Sequence, residues 1–488
     1  MSAPVPKALW LALHFHRFPL EVFDAVDQPA VAVEQHLVAC ANAQAEILGV
    51  VAGMRLSGAL GLAPGLVVRE RKSLREAETL DRLACWAGSF SPHVSLAGPD
   101  ELLIEIGGCL RLFGGLDVLC DLIRNGAVAQ GFSVHMALAP IPLAAQWLAR
   151  AGRQVCCRSP QSVRKHLQAL PVDVIGVSRV EQQTLAALGV RRLKDLFALP
   201  SAGLARRFGI GLPRQLAQAL GEAPDLRREF VFPEFFVQKL ELPAKVEQAA
   251  MLLFAARRLL ASLAGWLSVR ASGVAECDLV LLHDDGIADS HLVLAFASPT
   301  RDLARMERVL RERLDRLVLS APVTDLRLEA VTPVLMPGST LGLFAQTSAQ
   351  SLDPVIERLR ARLGKQAVHA IEIKNDYRPE CATLSVERTE FTQTQHGPPR
   401  PLWLLPRLQA LQERDGALHY GGVLQRVAGP ERIESGWWDR GEKRGDTQEE
   451  EAAVGDVQRD YYVAVSVRGE WLWIFRDVRG WWLQGVFA

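Results

Sequence analysis

Phosphoryl transfer by two metal ions needs carboxylates a few ångströms apart on neighbouring strands, where both cations can clamp the attacking and leaving oxygens. The chain has one candidate pair, Asp100-Glu101 in "GPDELLIEIGGCLRLFGG", with Glu105 four residues on. Taken alone, such a pair before a strand is usually a solvated turn. His14-x-His16 offers two imidazoles, which are expected to be ordinary partly buried histidines that do not share an ion. The eight cysteines form no C-x-x-C pair and have no His at metal-ligand spacing. They read as buried thiols of a reducing cytoplasm, and neither a resident metal nor a cofactor is called for.

These groups need elements to hold them. Three short apolar runs, "ALWLALHF" (8–15), "ELLIEIGG" (101–108) and "SVHMALAP" (133–140), read as buried strands. Helical periodicity marks 73–88 and 116–131 between them, so a sheet covered by helices is expected over 1–165. "CANAQAEILGVVAGM" (40–54) reads as a small-residue helix ending at Gly-Val. Residues 166–229 change to short helices broken by Gly and Pro. Over Arg158 to Arg228, Lys and Arg number 12 against 5 acidic residues. Over 230–337 a long apolar helix, strand-like runs and the charged helix "TRDLARMERVLRERLDRLVL" describe a compact α+β module.

The tail beyond Gly397 holds seven of the eleven tryptophans and alternates like a small antiparallel sheet, interrupted by a charged excursion expected to be mobile over 439–460. Lys+Arg and Asp+Glu both number 55, so any polyanion must be met by local patches. The N-terminal run is too short, and too soon broken by His and Arg, for a signal peptide; no membrane partner is expected and a cytoplasmic location is.

In order along the chain, "LGVVAGMRLSGALGLAPGLVV" and "GPDELLIEIGG...LFGG" resemble segments of the Y-family, translesion-type DNA polymerases. The resemblance implies a palm and fingers (1–165), a helix-hairpin-helix thumb (166–229) and a little finger (230–337). The fold class is multidomain α/β and α+β, with a small Trp-rich β domain at the C-terminus. Against the family pattern, the D-x-D of the first strand is replaced by Ala12 and His14. The Tyr and Arg that hold a triphosphate are replaced by Ala43 and Glu46, and the palm lysines by Ile141-Pro142 and Ala145-Gln146. Putting Glu46 where a guanidinium grips phosphate exchanges attraction for repulsion. Asp100 and Glu101 are then remnants of a lost metal site. The rival reading keeps an active template-directed polymerase with an atypical site built from Asp100, Glu101 and Glu105.

In helix-hairpin-helix motifs, tight glycine turns expose backbone N–H groups to phosphate without reading sequence. Gly176 and Gly189, followed by Arg191, Arg192 and Lys194 and supported by Arg206, Arg207 and Arg214, are the corresponding DNA-binding candidates. "PGSTLGLFAQT", in a linker at 338–350, is similar to sliding-clamp ligands of the Q-L-x-L-F type, with Thr340, Leu341, Gly342, Leu343 and Phe344 in register. The region 351–488, with Trp437, Trp438, Trp471, Trp473, Trp481 and Trp482, resembles the C-terminal part of ImuB-type proteins, the polymerase-like subunits of the bacterial damage-inducible mutasome. That resemblance implies a noncatalytic adaptor in error-prone, SOS-linked translesion synthesis. Its partners would be the sliding clamp, an error-prone DnaE-type (C-family) polymerase, the RecA-like ImuA and sequence-nonspecific DNA. The tryptophans read from the residues alone are equally the core of a small domain or an interface.

Overall fold

The structure is a computed structural model and describes residues 8–23, 27–284, 287–330, 332–336, 353–364, 367–386, 400–438 and 455–487. The chain forms two compact units, Met1–Arg362 and Leu363–Ala488.

In the first unit, a four-stranded antiparallel sheet runs in the order Val94–Gly98, Glu101–Glu105, Trp10–His14, His135–Ala139. Its strands are apolar almost throughout because both faces are buried. Leu11 and Leu13 join Leu102, Ile104 and Met136 beneath helices Ser73–Ala87 and Leu116–Ala129. Ala12, Leu103, Ala137 and Ala139 face helix Pro142–Arg150 through Trp147 and Leu148. The edge strand 94–98 was not anticipated.

Residues 40–54 do not form one helix. Cys40 and Ala41 end the strand Leu37–Ala41, which pairs with Ala30–Glu34 in a three-stranded sheet completed by Val67–Glu70. Only Ala43–Ile47 is helical, because the Asn42 side chain accepts from the Ala45 N–H as an N-cap while its amide fastens the turn to the Gln28 carbonyl. Gly49, at φ +87°, then turns the chain away.

Six helical segments between Pro160 and Ala219 make the small helical region. The following module pairs Ser290–Thr300, Ser272–His283, Val323–Ala330 and Phe236–Val246 in that order, with Pro333–Leu335 beside Ser272–His283. The long helix Leu252–Val269 and the helix Leu303–Leu314 pack on this sheet. The long helix is apolar and long enough to cross a membrane, but its apolar surface is accounted for by protein: one side meets its own sheet and another crosses helix Ser73–Ala87. The crossing is close enough that a Cβ on Gly265 would stand 2.0 Å from the Cys85 carbonyl oxygen.

The first unit extends past the expected boundary at 337. Helix Asp353–Leu363 belongs to it, because Glu357 is buried there as an ion pair with Arg305 and accepts from the Ala297 N–H. In the second unit, a five-stranded antiparallel sheet runs in the order Trp403–Ala410, Gly480–Val486, Trp471–Asp477, Val457–Val465, Gln425–Ser435. Val457 to Asp460, expected within the mobile excursion, are paired strand residues.

Candidate functional site

Strand register decides what meets at Asp100 and Glu101. His14 stands directly opposite Glu101 on one side and His135 on the other, while Ala12 stands between Leu103 and Ala137. Ala12 is therefore buried among apolar neighbours and offers no ligand. Asp100 sits in the turn before the strand, and Glu101 is buried.

The buried Glu101 carboxylate is fully engaged by protein. Arg150 Nε donates to Oε1 at 2.5 Å and Arg150 Nη2 to Oε2 at 2.8 Å, in a two-point, charge-assisted contact. Gln146 Nε2 donates to Oε2 at 2.6 Å and to the Ala97 carbonyl at 3.0 Å. Gln146 and Arg150 are four residues apart on helix Pro142–Arg150, so both point to the same carboxylate. The sequence reading noted Gln146 only as a missing lysine and overlooked Arg150; their i, i+4 spacing was the available signal.

His14, Asp100 and Glu101 each bring a potential ligand atom within 4.8 Å of the others. They nevertheless do not fit a pair of divalent cations. The Arg150 guanidinium already occupies both Glu101 oxygens and repels a second cation there. Burial, followed by the neighbouring Glu101, pushes the Asp100 carboxyl up to about 6, while burial pushes the His14 imidazole down to about 4. Glu105 lies at the far end of its strand and accepts from the N–H groups of Leu9 and Gly107, which removes it from this cluster. His14 and His16 both approach His135. The His16 ring stacks on it at 3.9 Å and the His14 centroid lies 6.1 Å away, so the two imidazoles flank a third.

In the finger-like region Ala43 is exposed and offers no hydroxyl, and Glu46 accepts from Arg17 Nη2 at 2.7 Å. A guanidinium is thus present near this position, but it is bound to an acid.

Gly176 and Gly189 both adopt φ +77°, in the two turns where a hairpin needs glycine. The backbone donors beside them are not all free, contrary to expectation. Ser178 N–H donates to Glu181 in a capping box, and the N–H groups of Arg191 and Arg192 both donate to Asp195 Oδ2. The side chains of Arg191, Arg192, Lys194, Arg206, Arg207 and Arg214 are exposed. Thr340, Leu341, Gly342, Leu343 and Phe344 lie outside the described residues.

The six tail tryptophans named above separate by burial: two are core, one is half-buried and three are exposed. Trp473 and Trp481 are core residues: Trp473 stacks on Tyr461 at 4.2 Å, and Trp482, half-buried, bonds Asp477. Trp437, Trp438 and Trp471 are exposed, the first two as an edge-to-face pair at 5.5 Å. Trp473 lies in the middle of a strand buried on both faces, Trp471 begins that strand, and Trp437 and Trp438 follow the end of another.

The impB/mucB/samB family model matches residues 19–150. Protein ImuB of Caulobacter vibrioides is 29% identical over 475 residues, covering 90% of this chain and 100% of that protein. DNA polymerase IV of Dehalococcoides mccartyi is 28% identical over 211 residues, covering 40% of this chain and 54% of that one. Among solved structures, an insertion ternary complex of Dbh DNA polymerase is 18% identical and covers 67% of this chain and 99% of that chain, with a TM-score of 0.39.

Proposed function

We infer that this ImuB-type chain, Y-family polymerase-like in fold, is a noncatalytic adaptor of error-prone translesion synthesis. Its relatives place it among translesion-synthesis proteins, and the chemistry of its site argues that it does not make DNA itself. The observation that carries the reading is the Arg150–Glu101 contact: a cation belonging to the protein stands where magnesium would have to bind. Glu46, paired to Arg17 in the finger-like region, adds negative charge where a triphosphate needs positive.

The role is tethering. The clamp-like peptide Leu341-Gly342-Leu343-Phe344, the basic surface around Arg191 and Arg206 and the exposed tail tryptophans would hold the sliding clamp, DNA and partner proteins on one chain. Linking weak contacts raises the local concentration of a poorly processive, DnaE-type polymerase at a lesion without a new catalytic group. The RecA-like ImuA is a further partner in this reading, and the setting is the cytoplasm of a cell responding to DNA damage.

Primer extension by the purified protein tests it, with magnesium or manganese and all four nucleotides. No extension is expected, whereas incorporation abolished by Asp100→Ala and Glu101→Ala would return the chain to the polymerases. Clamp pull-down that is lost on Leu343→Ala/Phe344→Ala tests the tether.

A further inference from the structure

Arg150 does more than neutralise Glu101. Its Nη1 donates at 2.9 Å to the carbonyl of Val174, in the 3-10 turn Val172–Ile175 that leads into the first hairpin glycine. The fit is close, since a Cβ on Gly176 would lie 3.2 Å from that same Nη1. One guanidinium therefore bridges a sheet carboxylate and the turn that opens the hairpin part of the helical region.

The exit of the helical region is fastened to the same carboxylate. Asp225 Oδ2 accepts from the Leu143 N–H at the start of helix Pro142–Arg150 and from Arg227 Nη2. Arg227 Nη1 in turn donates to Gln146 Oε1 at 3.2 Å, and Gln146 donates to Glu101. The two routes, Glu101–Arg150–Val174 and Glu101–Gln146–Arg227–Asp225, leave one carboxylate-binding helix face and reach the two sides of the hairpin part of the helical region, the helices from Arg179–Ala187 to Gly211–Ala219.

We propose that Glu101 is a positioning residue: the buried carboxylate is the anchor to which both ends of the helical hairpin region are tied, through Arg150 at its entrance and Gln146 with Arg227 at its exit. The arrangement accounts for a buried acid kept in a site whose residues do not fit a metal pair. A buried carboxylate is costly unless paired, so removing one partner leaves an uncompensated charge, whereas removing both does not. The orientation of the hairpin turns at Gly176 and Gly189 is then set from the sheet. That orientation matters for DNA only on the proposed reading that these turns meet phosphate.

Segment-resolved hydrogen exchange on the full-length protein tests the anchor without reference to DNA. Arg150→Met and Glu101→Gln are each expected to raise exchange across 170–193 by about tenfold or more while the strands Trp10–His14 and His135–Ala139 stay protected. Glu101→Leu/Arg150→Met is expected to restore global melting relative to Arg150→Met but to leave 170–193 as exposed as in the single variants. Arg227→Met, which cuts only the exit route and retains the buried pair, is the variant that keeps the test open if Arg150→Met does not fold; it is expected to loosen 210–227 selectively. Unchanged exchange at both ends in these variants, or loss of protection spread evenly over the sheet, overturns the proposal. DNA affinity measured in parallel by fluorescence anisotropy separates the two ideas: wild-type protein that does not bind DNA defeats the DNA reading and leaves the anchor to the exchange data.

Discussion

Arg17 Nη2 and Glu46 Oε2 are 2.7 Å apart, joining the turn after the first strand of the four-stranded sheet to the short helix Ala43–Ile47. Glu46 is half-exposed, so the pair is worth at most about 1 kcal/mol after screening by solvent and salt. Glu46→Arg should lower the urea midpoint slightly, Arg17→Glu/Glu46→Arg should recover it, and neither should produce primer extension.

Restoring one acid should not restore a metal centre. His14→Asp places a third carboxylate beside Asp100 and Glu101, but Arg150 still holds both Glu101 oxygens. The expected primer-extension rate is background with either magnesium or manganese. Extension by His14→Asp alone would mean that the guanidinium yields to a metal ion.

Acid stability should fall between pH 6.5 and 4. Burial pushes His14 and His16 down to about 4, so the unfolded chain takes up more protons across this window, and the stability they contribute above pH 6.5 is lost as pH falls through 4. Asp100, raised to about 6 by burial and by Glu101, acts oppositely: its contribution is present below about 4 and lost as pH rises through 6. Two groups outweigh one. His14→Gln should flatten the pH dependence of the urea midpoint between 6.5 and 4, and a steeper dependence would contradict this account.

Salt dependence should report the exposed cations of the helical region. Removing Arg191, Arg192 and Lys194 together should weaken DNA binding uniformly across sequences. The slope of log affinity against log salt should shrink by about 2 to 3 if each side chain meets one phosphate of a duplex. An unchanged slope would remove these residues from the DNA path.

Tail tryptophans should divide by burial. Trp473→Ala removes a fully packed ring stacked on Tyr461 and should cost about 3–5 kcal/mol in denaturant titrations. Trp437→Ala and Trp438→Ala should change stability by less than about 0.5 kcal/mol while weakening partner capture.

Three of the four strands of the first sheet could be read in advance because Leu11, Leu13, Leu102 and Ile104 are matched by equally buried residues on the other face, giving short, uninterrupted apolar runs; the edge strand Val94–Gly98 has no such run. The turn-bound helix at 43–47 could not, because Asn42 acts as a cap on one turn only and the small residues around it fit strand and helix alike. That positions 12 and 14 carry no carboxylate could be read directly from Ala12 and His14. The spacing of Gln146 and Arg150 puts both on one helix face, but that this face meets Glu101, 49 residues before Arg150, is settled only once the helix has packed on the sheet. Trp473 and Trp438 look the same in sequence; a mid-strand position covered on both faces and a position past a strand's end distinguish them.

Trp437 and Trp438 lie just past Ser435, which pairs with Val457, whereas Trp471 pairs with Val465. Nine residues of one strand thus separate the two aromatic edges, roughly 26 Å at the usual rise per residue. A ligand small enough to sit on one edge leaves the other vacant. On the adaptor reading, two short peptide segments fit this sheet at the same time, one on each edge, and saturating one edge should leave the other open to the second.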